Sequence, residues 1–211
     1  MLKTKGGRGF PYCIVMDETG KVLKELRPSD ETAFNGGMKP ISMLMQARAA
    51  VTNAKSKSKK KTAQMNLSLM EAVFTPDEKQ FKSLMKIAKK KRVDKEISAA
   101  FMSMVETYPI RKECEMADAA ASKAGRDRAA RERINKKRDA ALYELAVEGA
   151  QIDDPGHAYF DTFYMAIANR ALIVDDKKRG LAAIAKMEAK YAKNRQAMDY
   201  FGKIRRKLEK L

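Results

Sequence analysis

Lysine and arginine number 44 here against 27 acidic residues, a formal net charge of +17 on 211 positions. That excess constrains the fold before any local pattern does. Like charges packed into a compact body repel one another, so each element has to turn its apolar residues inward and hold its cations in water. The usual physical use of such an excess is to attract a polyanion: nucleic acid, a phospholipid surface or a strongly acidic protein.

Apolar residues make up 45% of the chain, enough for packed cores, which excludes a wholly disordered basic tail. Aromatics are only 7%, Trp is absent and Met numbers 14. Alanine and methionine suit helix–helix contacts, where small and adaptable side chains fill irregular gaps. The length fits one large domain or two small ones. Cys13 and Cys114 lie far apart and form no pair motif, as expected of thiols in a reducing compartment. The apolar run 10–16 is too short for a secretory leader, and no stretch approaches the roughly 20 apolar residues of a spanning helix. The expected location is inside a cell (cytoplasm, nucleus or nucleoid) or inside a virus particle.

The pattern predicts a mainly α-helical protein with an N-terminal β-hairpin, long amphipathic helices, and a C-terminal αα-hairpin or coiled-coil-like pair. Tyr12 to Met16 and Lys21 to Leu26 are β-rich runs around a polar turn that ends in Gly20. Two strands alone are marginal in water, so the hairpin needs helices or another sheet to pack on. Gly6, Gly7 and Gly9 precede the strand and do not join a strand to a helix, which argues against a phosphate loop. Residues 27–40, with two Pro and Gly36-Gly37, read as loop, and 41–51 as a short helix. Residues 53–62 hold five lysines, no acid and no large apolar side chain, and read as a flexible basic linker. The expected organisation is therefore 1–52, the linker 53–62, and a helical body 63–211.

Within the body, Thr75-Pro76-Asp77-Glu78 forms a capping box that starts a helix at Thr75. A second stripe runs Ile97, Ala100, Phe101, Met104, Val105 and Tyr108, with Pro109 marking a boundary or bend. From 110 to 148 a continuous helix is expected, weakened only at Gly125. Asp153-Asp154 would cap the next helix, whose face is Phe160, Phe163, Tyr164, Ile167, Ala168, Ala171 and Leu172. After a turn over 175–180, a final helix carries Ile184, Met187, Tyr191, Met198, Phe201 and Leu208 as a packing or oligomer stripe. Asn194 sits in its near-heptad seam as a register-setting polar residue.

No residue pattern points to catalysis, a metal or a cofactor, and the chain is expected not to be an enzyme. His157 is the one histidine and follows a helix start, where a surface or capping role is the ordinary one. Asp153-Asp154 and Asp175-Asp176 have the chemistry to hold Mg²⁺ beside a phosphate, but a cap and a turn account for them equally well. No nucleophile-elbow, Walker or dinucleotide pattern occurs.

The cations gather in five clusters: Lys55, Lys57, Lys59, Lys60 and Lys61; Lys89, Lys90, Lys91 and Arg92; Arg126, Arg128, Arg131, Arg133, Lys136, Lys137 and Arg138; Lys177, Lys178 and Arg179; and Arg205, Arg206 and Lys207. The third lies in the stretch 123–139, where Ile134 is the only large apolar residue and a continuous helix would have too little apolar face to be buried. Such a rod can present cations to phosphates, or it can be a solvated face with internal Asp–Arg and Glu–Arg pairs. Within it, Asp127-Arg128-Ala129-Ala130-Arg131-Glu132-Arg133-Ile134-Asn135 resembles the basic region of basic helix-loop-helix transcription factors. It departs from that family at Asp127, Ala130 and Arg138, and the loop and second helix are missing downstream, so no family is assigned on it.

A compact sequence reader concentrates its base contacts on one element, whereas these clusters are spread over the whole chain. The expected function is phosphate binding to DNA or RNA without strong sequence preference. The alternative is a structural subunit of a larger assembly, a viral particle or a ribonucleoprotein, whose helices pack on partner chains or on copies of itself. An apolar stripe left uncovered would favour the assembly subunit.

Overall fold

The computed structural model describes residues 13–16, 20, 22–26 and 31–211. Strands β1 (Cys13–Met16) and β2 (Val22–Leu26) pair antiparallel with Cys13 opposite Leu26 and Met16 opposite Val22, and the register shifts between Val15 and Met16. Most of the expected hairpin turn, 17–19, and the glycines before Cys13 lie outside the described residues. Among the described residues eight helices follow: α1 (Glu31–Asn53), α2 (Lys57–Phe74), α3 (Glu78–Ala88), α4 (Lys95–Lys123), α5 (Arg128–Val147), α6 (Phe160–Val174), α7 (Lys177–Lys190) and α8 (Arg195–Glu209). The mainly helical class read from the pattern is the observed one. The chain divides into two compact units, Met1–Val105 and Glu106–Leu211, with the division inside α4.

In the first unit α1 packs on α2, and β2 lies against α1. Helix α1 starts nine residues before Pro40 and runs through Gly36 and Gly37, where the sequence suggests a loop. Ile41, Leu44 and Ala47 recur on its buried face, which compensates for poor local propensity. The stretch expected as a linker is helical from Lys57 onward. Ser56 caps it by accepting the Lys59 N–H at 3.3 Å, and the buried face of Ala63, Met65, Leu69, Met70 and Ala72 carries the helix forward. Helix α3 starts later than the capping box suggests. Thr75 closes α2, its N–H donating to the Glu71 carbonyl at 2.8 Å, so the cap of α3 is Asp77, which accepts from Lys79 N–H at 3.1 Å. Phe81, Leu84 and Ala88 face inward, and Phe81 meets Phe101 of α4 edge to face at 6.4 Å.

Pro109 does not end α4. It removes one N–H donor, that for the Val105 carbonyl, and the division between the units falls at that carbonyl, between Val105 and Glu106. The expected continuous helix over 110–148 is two helices. Gly125 adopts φ +57° just after α4, and Asp127 caps α5 by accepting the Ala130 N–H at 2.9 Å.

In the second unit α6 is central, packed on α5 and α7, with α8 against α7 and α6. Phe160, Phe163, Tyr164, Ala166, Ile167, Ala168 and Ala171 are all buried, so α6 is apolar around most of its girth. Tyr164 reaches out of that core: its hydroxyl donates to the Ile152 carbonyl at 2.9 Å and pins the incoming segment. Asp153 and Asp154 do not cap α6. Asp154 accepts the Gly156 N–H at 2.8 Å in a local turn, and Asp153 pairs with Lys186 at 3.5 Å. The α6–α7 turn is only Asp175 and Asp176, so Gly180 is inside α7.

The expected final helix is broken over 191–194 into α7 and α8. Asn194 is the N-cap of α8, accepting the Ala197 N–H at 3.0 Å, and not a seam residue. The stripe itself is a packing face. Ile184, Met187, Phe201 and Leu208 are buried in the core, Tyr191 and Met198 are half-buried, and Ile204 joins them. Tyr191 is held by Asp161, to which its hydroxyl donates at 2.7 Å; burial pushes that hydroxyl up to about 12. Among the described residues no helix is long and apolar enough to cross a membrane.

Candidate nucleic-acid interface

In the first unit, Lys55 precedes the Ser56 cap, and Lys57, Lys59, Lys60 and Lys61 occupy the first turns of α2, all exposed. No acid stands in that first turn. The helix macrodipole disfavours cations at this end, so the lysines are placed against the local field. Lys89, Lys90, Lys91 and Arg92 form the exposed turn between α3 and α4. Backbone bonds hold that turn: Lys90 N–H to the Ile87 carbonyl and Val93 N–H to the Lys90 carbonyl, both 3.0 Å. None of these nine cationic side chains has a polar partner among the described residues.

Lys89, Lys90 and Lys91 surround, together with Lys95, an open depression of about 310 Å³ whose inner wall includes Ala88 and Val93. Asp94, between the cations, is already engaged: its Oδ1 accepts from Glu96 and Ile97 N–H at 2.9 and 3.1 Å, capping α4. Asp94 N–H in turn donates to Asn66 Oδ1 at 3.1 Å, tying the turn to α2. Asn66 and Lys59 are seven residues apart, on one face of α2 about 10 Å along its axis, and both line a second depression of about 450 Å³. Lys59 of the first cluster thus lies on the flank of α2 to which the turn carrying the second is tied. Lys95 and Asn66 were not legible as site residues, because Asp94 interrupts the basic run and Asn66 carries no charge.

The second unit handles its cations differently. Arg126 lies in the α4–α5 turn, and Arg128, Arg131 and Lys137 are exposed on α5. Lys136 pairs with Glu132 at 2.9 Å and holds that carboxyl below its ordinary range. Arg133 Nε donates to the Ala129 carbonyl at 3.4 Å, and half-buried Arg138 pairs with Asp139 at 2.8 Å. Lys177 Nζ donates to the Glu209 carbonyl at 2.6 Å. Arg179 donates to Asp176 Oδ2 at 2.7 Å, and the Tyr143 hydroxyl donates to the same oxygen at 2.7 Å. The tyrosine bond and then the arginine bonds pull the Asp176 carboxyl down to about 2. Arg205 is paired with Glu188 through two contacts. Lys178, Arg206 and Lys207 remain exposed.

The groups with chemistry of other kinds are occupied. His157 Nδ1 accepts the Tyr159 N–H at 3.2 Å. Cys114 is buried, which pushes its thiol up to about 11 and leaves it unreactive at neutral pH. Among the described residues no group of three or more His, Cys, Asp or Glu is placed to hold a metal ion. No protein-family model matches the chain, no curated protein matches it in sequence, and no solved structure matches it in fold.

Proposed function

We propose that this protein is a non-enzymatic nucleic-acid-binding protein that docks on phosphates without strong sequence preference. The observation that carries the reading is the pair of cationic clusters in the first unit, where Lys57 to Lys61 and Lys89 to Arg92 stand exposed with no carboxylate among the described residues to neutralise them. A fold bears such repulsion at a cost, and a phosphate backbone removes it by releasing its own counterions. Lysine is a flexible point charge that binds phosphate without fixing a base register, which supports indifference to sequence. The assembly-subunit alternative needs an uncovered apolar stripe, and the large residues of the α6, α7 and α8 stripes are buried or half-buried in the core of the second unit.

Affinity for duplex DNA and for RNA should be measured against salt concentration on several unrelated sequences. Neutralising about six phosphates gives a slope of about −5 for log K against log salt on duplex DNA, with similar affinity for every sequence. A slope near zero, absence of binding at low salt, or a strong preference for one sequence would remove the proposal.

A further inference from the structure

The depression between α3 and α4 is lined by four lysines, Lys89, Lys90, Lys91 and Lys95. Both acids beside it are committed elsewhere: Asp94 caps α4, and Glu96 pairs with Lys39 at 3.3 Å. Ser98 spends its hydroxyl proton on the Ala88 carbonyl at 3.0 Å, so its oxygen is no donor to an anion. Only lysines are left to receive charge there, over an apolar wall of Ala88 and Val93 that suits the face of a sugar. Towards α2, the Asn66 oxygen is taken by Asp94 N–H, which leaves the two amide N–H donors of Asn66 for a further polar contact. Lys59 follows on the same face about 10 Å further on, a distance over which one strand of a duplex presents about three phosphates.

We infer that the four lysines around the α3–α4 depression neutralise about three to four phosphates of a nucleic-acid strand, and that the strand then runs over Asn66 onto the Lys59 face of α2, making the first unit the anchor. This rests on the nucleic-acid reading above. The test uses the full chain in three variants. One is Lys89→Gln, Lys90→Gln, Lys91→Gln and Lys95→Gln together. The second removes the same charge from exposed positions of the second unit, Lys193→Gln, Arg195→Gln, Lys203→Gln and Lys210→Gln. The third replaces the four depression lysines by Arg and keeps the charge. The glutamine variant of the depression should lower the salt slope by about 3, the second-unit variant by less than about 1, and the arginine variant should keep the original slope. Equal losses in the two glutamine variants overturn the placement while the function stands. Absence of binding by the unmodified chain overturns the function itself.

Discussion

Gly180 is the most closely packed glycine of the second unit, and it gives a mutation whose sign is fixed by geometry. It sits in the first turn of α7, buried, where a Cβ would overlap Leu208 Cδ2 of α8 and lie 2.9 Å from the Ala171 Cβ of α6. Carbon atoms of unbonded groups rest about 3.5–4.0 Å apart. Leu208 is fully buried and cannot swing into solvent, and a β-carbon such as that of Ala171 moves only with its backbone. Gly180→Ala therefore has to push two helices apart. Overpacking of this kind costs about 1–3 kcal/mol, against a gain of about 1 kcal/mol in helix propensity. With contacts on two sides, a net loss of about 1–2 kcal/mol is expected. Gly202 in α8 is the matched control, since a Cβ there meets nothing within 4 Å; Gly202→Ala should stabilise by about 0.5–1 kcal/mol. Urea unfolding of both variants, followed by helical circular dichroism, reads the difference as opposite shifts in midpoint. If Gly180→Ala is as stable as the parent or shares the gain of Gly202→Ala, the close packing of α6, α7 and α8 is wrong.

Two further perturbations test the same unit. Asp176 titrates at about 2 instead of its ordinary 3.8, so its ionised form adds stability that is complete above about pH 4 and disappears as pH falls towards 2. Water around Arg179 keeps that contribution to about 1–2 kcal/mol. Tyr143→Phe removes the largest cause of the depression and should move the acid limb of the melting curve upward, and an unchanged limb would refute the Tyr143–Asp176 bond. Phe201→Ala empties a buried site beside Tyr191 and should cost about 3–5 kcal/mol, whereas exposed Lys203→Ala should change stability by less than about 0.5 kcal/mol. Equal melting of those two variants would mean the α8 stripe is not a packing face.

The apolar stripes were the legible part of the fold, because helical spacing of large residues allows few other readings. Phe160, Phe163 and Ile167 are buried where periodicity puts them. Boundaries were less legible, since one residue type serves several ends. Asn194 looks like a polar interruption of a heptad and is a cap, a role the same side chain fills equally well. Gly180 looks like a turn and is a helix–helix contact. Residues 57–61 look like a linker because no apolar side chain anchors them, yet helix propagation from Ala63 and Met65 back to the Ser56 cap costs less than starting a helix anew. The candidate site was visible as charge, and its grouping was not. Nothing local says that Lys59 shares a flank with the 89–92 turn; the Asn66–Asp94 bond, 28 residues apart in sequence, makes that link.

Helix starts show how the fold distributes its unneutralised charge. Helices α2, α5 and α7 each open on several basic residues with no acid in the first turn, an arrangement the macrodipole opposes by about 0.3–1 kcal/mol per cation. For α5 and α7 the cap is an aspartate, Asp127 and Asp176, whose carboxylate offsets the cations that follow, and Asp176 also takes Arg179 into an ion pair. Helix α2 has only the neutral Ser56 above Lys57, Lys59 and Lys60. Its own sequence supplies no anion at that end, while the same end favours one through its unpaired N–H groups and its dipole. A phosphate arriving at α2 would reverse the sign of several unfavourable interactions at once, where one arriving at α5 or α7 would compete with a carboxylate already in place. That difference in local electrostatics is why the first unit, and not the longer basic stretch of α5, is the stronger candidate for the anchoring surface.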